Sequence, residues 1–432
     1  MRYPERRPAG ERISRRDLFH MAGATGAGLA LGAGGYATLR GALDARDAGD
    51  EAAGMPGLQR VAFNGPHQAG IDTPQHEHLH FAAFDLTAES TAEIRDLLRA
   101  WSEAGARMAA GEPAGPENDS SFVPPDDTGE AFGLSPARLT LTFGFGQPLF
   151  ERGGEDRFGL AGRRPEALAE IPPLPGDALE EGRSGGDLCV QACADDPQVA
   201  FHAIRNLARI ARGVAVVRWS QLGFGRTAST SMTQATPRNL MGLKDGTNNI
   251  KAEDADLMDR YVWVPEGEGP SWMTGGTYLV ARRIRMLIEV WDRASLSDQE
   301  VTIGRHKYSG APIGSDNEFE PVDLEARGED GELLIPEDSH VRLARQSDEE
   351  KILRRGYSFT DGMDPERGQL DAGLFFICFQ RDPRQQFVPL QRRLGSSDLL
   401  NEYIQHTGSA VFACPAGARE GGYVGEALLE GG

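Results

Sequence analysis

Two glycines bracket a lone carboxylate in Gly242-Leu243-Lys244-Asp245-Gly246. Glycine tolerates positive φ and close backbone approach, so a short loop can aim Asp245 over a bound group where a larger neighbour would clash. Further along stand His340, in Asp338-Ser339-His340-Val341-Arg342, and Arg354, in Leu353-Arg354-Arg355-Gly356-Tyr357. An imidazole can hold iron, a carboxylate can move a proton, and a guanidinium keeps its charge beside developing negative charge. Together these three suit the splitting of a peroxide. Taken alone, the G-x-x-D-G pattern reads as a turn closed by an Asx hydrogen bond, and a single histidine in an apolar segment reads as structural.

The elements around these residues fall into two similar halves. In the first, strands are expected at 78–86, 137–145, 187–194 and 214–222, with helices at 88–106 and 197–212. In the second, strands are expected at 277–291, 340–344, 373–380 and 409–414, with helices at 297–304 and 383–394. Each order specifies a split βαβ unit, so the fold class is α+β: two tandem ferredoxin-like units with antiparallel sheets and helices outside. The division is a leader at 1–57, an N-terminal domain at 58–225 and a C-terminal domain at 226–432 that carries the cofactor pocket. Gly-, Pro- and acid-rich stretches at 111–129, 153–186 and 316–337 read as loops.

The chain has 432 residues, 39% hydrophobic content and a formal charge of −20. That charge argues against nucleic acid, whose phosphates need cationic partners. The N-terminus is different. Six arginines precede a mild Ala- and Gly-rich apolar run at 18–39, with Arg15-Arg16 paired at its start. This is the layout of a twin-arginine export signal, with retention as a membrane anchor and an ordinary surface helix as the other readings. Loss of the segment through Asp47, which carries eight basic and five acidic residues, would leave a net charge of about −23. The four cysteines read as buried small hydrophobes. Cys189 and Cys193 would lie roughly 13 Å apart along a strand, beyond disulfide reach. His76, His78 and His80 alternate, but His76 and His80 would be too far apart along a strand, at roughly 13 Å, for one ion to take all three.

Several longer stretches carry a resemblance: Gly65-Pro66-His67-Gln68-Ala69-Gly70-Ile71, Gly185-Gly186-Asp187-Leu188-Cys189-Val190-Gln191-Ala192-Cys193-Ala194-Asp195-Asp196, the Asp245 loop, Ile303-Gly304-Arg305-His306-Lys307, the His340 segment and His406-Thr407-Gly408-Ser409-Ala410-Val411-Phe412. In these the chain resembles the dye-decolourising peroxidases, in particular the exported branch that includes proteins described as deferrochelatases. The resemblance implies a duplicated ferredoxin-like fold and haem b as cofactor, with His340 as the iron ligand. Asp245 and Arg354 are then the distal acid and charge stabiliser, and Arg355 an ordinary salt-bridge partner. Asp382 is the candidate partner for the second nitrogen of His340. Gly246, Thr247 and Asn248 would meet the haem edge or propionates. Arg345-Gln346-Ser347 stands where relatives carry Asn-Pro-Arg, which makes Arg345 the best charge match for a propionate, with Arg305 another candidate.

The implied reaction uses hydrogen peroxide to oxidise organic donors such as dyes and phenolics by one-electron steps. The alternative is haem deferrochelation or ferrous-iron oxidation beside an iron-uptake permease. The twin-arginine translocation machinery and a second copy of the chain are the other expected partners. Trp263, Trp272, Trp291, Tyr261 and Tyr357 read as packing residues that could also relay electrons.

Overall fold

The computed structural model describes residues 60–118, 120–345 and 347–431. The expected leader and Gln346 lie outside the described residues. Side-chain alternation organises the fold from β1 (His78–Leu86) onward. Leu79, Phe81 and Ala83 turn to one face, while Ala82, Phe84 and Leu86 turn to the other, and both faces are buried. The first half continues with α1 (Thr91–Ala109), β2 (Thr140–Gly146), β3 (Leu188–Ala194), α2 (Pro197–Ile210) and β4 (Ala215–Arg226). Local signals start the helices. Ser90 accepts from the Glu93 N–H at the head of α1, and Asp196 from the Gln198 N–H at the head of α2, where Pro197 takes the first helical position.

The second half contains β5 (Thr277–Met286), β6 (Leu353–Arg354), β7 (Tyr357–Asp364), β8 (Gln369–Gln380) and β9 (Ile404–Cys414). Its helices of five residues or more are α3 (Ala255–Tyr261), α4 (Leu296–Ile303), α5 (His340–Ala344) and α6 (Phe387–Ser397); α3 lies before β5, α4 and α5 between β5 and β6, and α6 before β9. Strands neighbour one another in the order β2-β3-β1-β4 in the first half and β9-β5-β8-β7 in the second. All pairs are antiparallel, and the short seams β2–β9 and β4–β7 close eight strands into one barrel. The two-residue β6 pairs with the far end of β8.

The barrel is filled. Phe81, Tyr357, Phe359, Phe375, Phe379 and Phe412 pack inside it, so its interior is core and not a binding channel. In the first half α1 and α2 cover the outer face, where Phe84 packs against Trp101 with ring centroids 5.1 Å apart in a core shared with Ile94 and Leu97. In the second half the outward residues of β5, β8 and β9 line a cavity. Among the described residues no helix is long and apolar enough to cross a membrane.

Three element readings are corrected. The segment 340–344 is the helix α5, with Ser339 extended at its head. Five residues with one valine cannot separate the strand period from the helix period, and the buried Leu343, three positions after His340, fits the helix. The expected strand at 277–291 ends at Met286, and Ile288–Trp291 forms a one-turn helix that lets the Trp291 Nε1–H reach the Met241 carbonyl at 3.0 Å. His76 precedes β1, so the three alternating histidines do not share a strand. All four cysteines are free and buried. No group of three or more metal-ligating side chains occurs among the described residues.

The buried histidines set an acid limit on stability. Burial is the leading cause that lowers His76 to about 3, His80 to about 4 and His406 to about 3, from an ordinary 6.5. Folded, they stay neutral while the unfolded chain protonates them below pH 6.5. Stability therefore falls as pH drops through 6.5 and levels off near pH 3 to 4. Each group can remove up to about 1.4 kcal/mol per pH unit inside that window. Denaturant unfolding at pH 7 and pH 5 should show a loss of a few kcal/mol, and a double His76→Asn, His80→Asn variant should flatten the slope. An equal slope in that variant would move the acid sensitivity elsewhere.

Candidate active site

Asp245 is held by its own loop. Gly242 at φ +78° and Gly246 at φ +90° both take the left-handed conformation expected of them. A Cβ on Gly246 would sit 2.8 Å from the Ala228 Cα, so this glycine is required by the chain's own backbone. Asn239 ties the loop together. Its Oδ1 accepts the Met241 and Leu243 N–H groups at 3.1 and 3.3 Å, and its Nδ2 donates to Asp245 Oδ2 at 3.3 Å. Glu318, from the acidic stretch read as a loop, accepts from Lys244 and, at 3.1 Å, from the Thr247 hydroxyl, and so clamps both flanks of Asp245. Neither Asn239 nor Glu318 was marked by the sequence. Each acts through a contact that only the fold brings about.

Arg354 reaches the same place from β6. Alternation sends Leu353, Arg355 and Tyr357 into the barrel and Arg354 outward into the cavity. Asn249 accepts the Arg354 N–H at 2.8 Å and donates to its carbonyl at 2.9 Å, which fixes the backbone there. Arg354 Nη1 then donates to Asp245 Oδ1 at 2.9 Å. The adjacent Arg355, read as an ordinary salt-bridge partner, is fully buried and meets no described carboxylate.

His340 opens α5 on the cavity wall. Its Nδ1 meets Asp398 Oδ2 at 2.6 Å, and Asp398 Oδ1 also accepts the Leu400 N–H that heads the next turn. This corrects the expected partner. Asp382 is engaged by Arg384 and Gln385 in its own loop, whereas Asp398 follows α6, which packs on α5 through bonds such as Arg393 Nε to the Leu343 carbonyl at 2.7 Å. Burial lowers the basicity of His340, but the charge of Asp398 and its hydrogen bond outweigh that and raise it. A third of the His340 side chain stays accessible, 33%, and it opens on the cavity, to which Nε2 is left free.

The cavity holds about 340 Å³ and gathers His340, Asp245 and Arg354 around one space. Asp245 and Arg354 are near enough for their charges to act on the His340 ring. Its apolar walls include Ile284, Met286, Leu374 and Phe376 from the strands. Phe387, Leu390 and Leu394 come from one face of α6. Gly246, Thr247, Asn248, Arg305, Arg345 and Ser347 also line it. Arg305 is buried, and its Nη1 donates to the carbonyls of Gly310 and Glu318 at 2.6 and 3.0 Å, with no ion pair to a carboxylate among the described residues. An apolar-walled cavity, an imidazole nitrogen facing it and a buried guanidinium on its wall fit an iron porphyrin with its carboxylate side chains.

Those features define the class, an oxidoreductase acting on a peroxide. Residues 68–225 match the family model for the N-terminal part of Dyp-type peroxidases, and residues 236–419 match that for the C-terminal part. The chain belongs to the Dyp-type peroxidase family. It is 42% identical over 387 residues to the dye-decolorizing peroxidase of Thermobifida fusca, covering 86% of each chain. It is 36% identical over 379 residues to the deferrochelatase of Escherichia coli K12, covering 86% of this chain and 88% of that one. The crystal structure of a DyP-type peroxidase from Streptomyces coelicolor superposes with a TM-score of 0.79 at 45% identity, over 87% of this chain and 98% of that one. Ferric DtpA from Streptomyces lividans gives the same TM-score at 44% identity, over 87% and 98%.

Proposed function

We propose that the chain is an exported haem b peroxidase in which His340 ligates the iron through Nε2 and Asp245 with Arg354 forms the pair acting on hydrogen peroxide. The observation that carries this reading is the single cavity shared by the Asp398-supported His340 and the Asp245–Arg354 ion pair. The bound haem would supply the electrons that break the peroxide O–O bond and would then take single electrons from donors. The rest of the work belongs to side chains. Asp398 holds the Nδ1 proton of His340, which keeps Nε2 a strong donor. Asp245 can take a proton from one peroxide oxygen and return it to the oxygen that leaves as water. Arg354 can donate to that oxygen as its negative charge develops. Arg305 and Arg345 would meet the propionates, beside the backbone and side chains of Gly246, Thr247, Asn248 and Ser347.

An absorption spectrum tests this reading. A Soret band should be present in the purified protein, shift on one equivalent of hydrogen peroxide and return when an organic donor is added. Purified protein with no bound porphyrin would rule it out.

The finer architecture belongs to the same proposal. Strand orders β2-β3-β1-β4 and β9-β5-β8-β7 each support a ferredoxin-like unit, with an N-terminal domain at 58–225 and a C-terminal haem-binding domain at 226–432. Export by the twin-arginine translocation machinery rests on Arg15-Arg16 and the apolar run behind them. The product would then act outside the cytoplasm, and association with a second copy belongs to the same reading.

The second reading is haem deferrochelation or ferrous-iron oxidation for an iron-uptake permease, and the 36% identity to deferrochelatases supports it. Release of iron with intact protoporphyrin, measured on the haem-loaded protein, would favour that role. Donor oxidation without iron release would favour the first.

Surface charge should shape donor choice. At −20 the protein repels anionic dyes at neutral pH, and protonation of exposed carboxylates relieves this. Turnover of anionic dyes at low salt should rise relative to cationic dyes as pH falls toward 4.5. The acid limit set by the buried histidines ends the gain. Equal rates for both dye classes across the range would remove surface charge as the cause.

A further inference from the structure

Among the described residues five arginines are buried: Arg282, Arg283, Arg285, Arg305 and Arg355. Arg282 pairs with Asp177, Arg283 with Asp361 and Asp371, and Arg285 with Asp364. Arg305 lines the haem-sized cavity, where a cofactor carboxylate can meet it. Arg355 has neither kind of partner. Its Nη1 donates to the carbonyls of Ile71, at 3.2 Å, and Thr73, and to the Thr230 hydroxyl at 3.2 Å. Among the described residues its Nε and Nη2 meet no carboxylate or other oxygen acceptor although both are buried, and only the Cys193 thiol stands beside the guanidinium. That edge of the guanidinium grips carboxylates elsewhere in the molecule, as where Arg138 Nε and Nη2 hold Asp195 at 2.6 and 2.9 Å.

The surroundings form an end of the barrel closed by the segment Ala69–Gln75. The Thr142 hydroxyl donates to the Ala69 carbonyl at 2.7 Å, Gln191 Nε2 to the Gly70 carbonyl at 3.0 Å, and Gln75 Nε2 to the Gly356 carbonyl at 2.7 Å. In the same end Gln75 Oε1 and Gln191 Oε1 lack partners among the described residues, and the Tyr357 hydroxyl has only the Cys193 thiol and the Gln75 amide near it. The Cys193 thiol lies beside both Arg355 and Tyr357, but burial pushes the thiol up, and burial with the Cys193 neighbour pushes the phenol well up. Both therefore keep their protons, and neither supplies negative charge to Arg355. A guanidinium without a counter-charge in a dry interior is strongly disfavoured.

We propose that the Nε–Nη2 edge of Arg355 and the Tyr357 hydroxyl form a buried site for a small monovalent anion of the halide class. Water beside the anion donates to Gln75 Oε1 and Gln191 Oε1, which accounts for the unpaired acceptors as well as the unpaired donors. The site lies on the barrel side of β6, opposite the cavity face presented by Arg354, so the anion seats the barrel end without entering the peroxide cavity. Its effect is on stability.

Crystals of the haem-loaded wild-type protein soaked in sodium bromide provide the direct test. A bromine anomalous peak at the Arg355 edge is expected, and water density there with no anomalous signal overturns the proposal. Replacing chloride by gluconate at constant ionic strength should lower the wild-type Tm by several degrees and leave Arg355→Met unmoved. Equal responses in the two proteins would also overturn it. Should Arg355→Met not fold, Tyr357→Phe removes only the hydroxyl donor and is expected to raise the halide midpoint about tenfold. An unchanged midpoint in Tyr357→Phe counts against the site.

Discussion

His340→Ala is expected to purify folded but without haem, with the Soret-to-protein absorbance ratio falling to the level of a non-binding control. His340 presents Nε2 to the cavity because Asp398 holds Nδ1 at 2.6 Å, and among the described residues no other imidazole combines cavity exposure with that support. His406 also lines the cavity, but it is buried between Arg282 and Gln391, with its two ring nitrogens 3.3 and 3.2 Å from their side chains. The fold depends little on His340 itself, which opens a five-residue helix. Its removal leaves the Asp398 carboxylate short of one partner, at a cost of about 1–3 kcal/mol. Asp398→Asn separates ligation from support. It should keep the cofactor but hold it ten- to a hundredfold less tightly, roughly the loss expected when a histidine ligand loses its carboxylate. Haem at the parent level in His340→Ala would transfer the ligand role to another residue.

The second large effect concerns the peroxide side. Asp245→Ala should lower kcat/KM for hydrogen peroxide by roughly 100- to 10,000-fold, the range for loss of a positioned acid–base group. Arg354→Leu should lower it by roughly 100- to 1,000-fold through loss of a donor to developing negative charge. The two side chains are bonded at 2.9 Å, so they act as one unit and their effects should not add. The double variant is expected within about tenfold of the worse single one. Haem content should stay near the parent level in all three, since neither residue is the proposed ligand. A haem carrier would need neither group. Activity untouched in the double variant would therefore sink the catalytic reading while leaving haem binding intact.

The local parts of this site were legible in the sequence. Gly242 and Gly246 announce a left-handed loop because glycine has no Cβ to clash at positive φ, and both take it. The alternation 353, 355, 357 against 354 separates barrel residues from the cavity arginine once a strand is recognised there. That strand escaped notice, since β6 has two residues and exists only through its pairing with β8. The helix at His340 was missed for a related reason, because five residues are too few to show a period. Asp382 is the expected partner from the linear order, and nothing in the spacing points to Asp398. What selects Asp398 is that α6 packs on α5 and returns it to His340.

Composition and motif order alone carried the acidic net charge and the family resemblance, because these depend on residue identity and short-range order. Closure of the eight strands into one filled barrel needed tertiary structure, as did the cavity outside it, the support of His340 and the isolation of Arg355. Each of these joins residues far apart in the chain, and contact between them is decided by which helix packs against which strand. No spacing along a sequence encodes that.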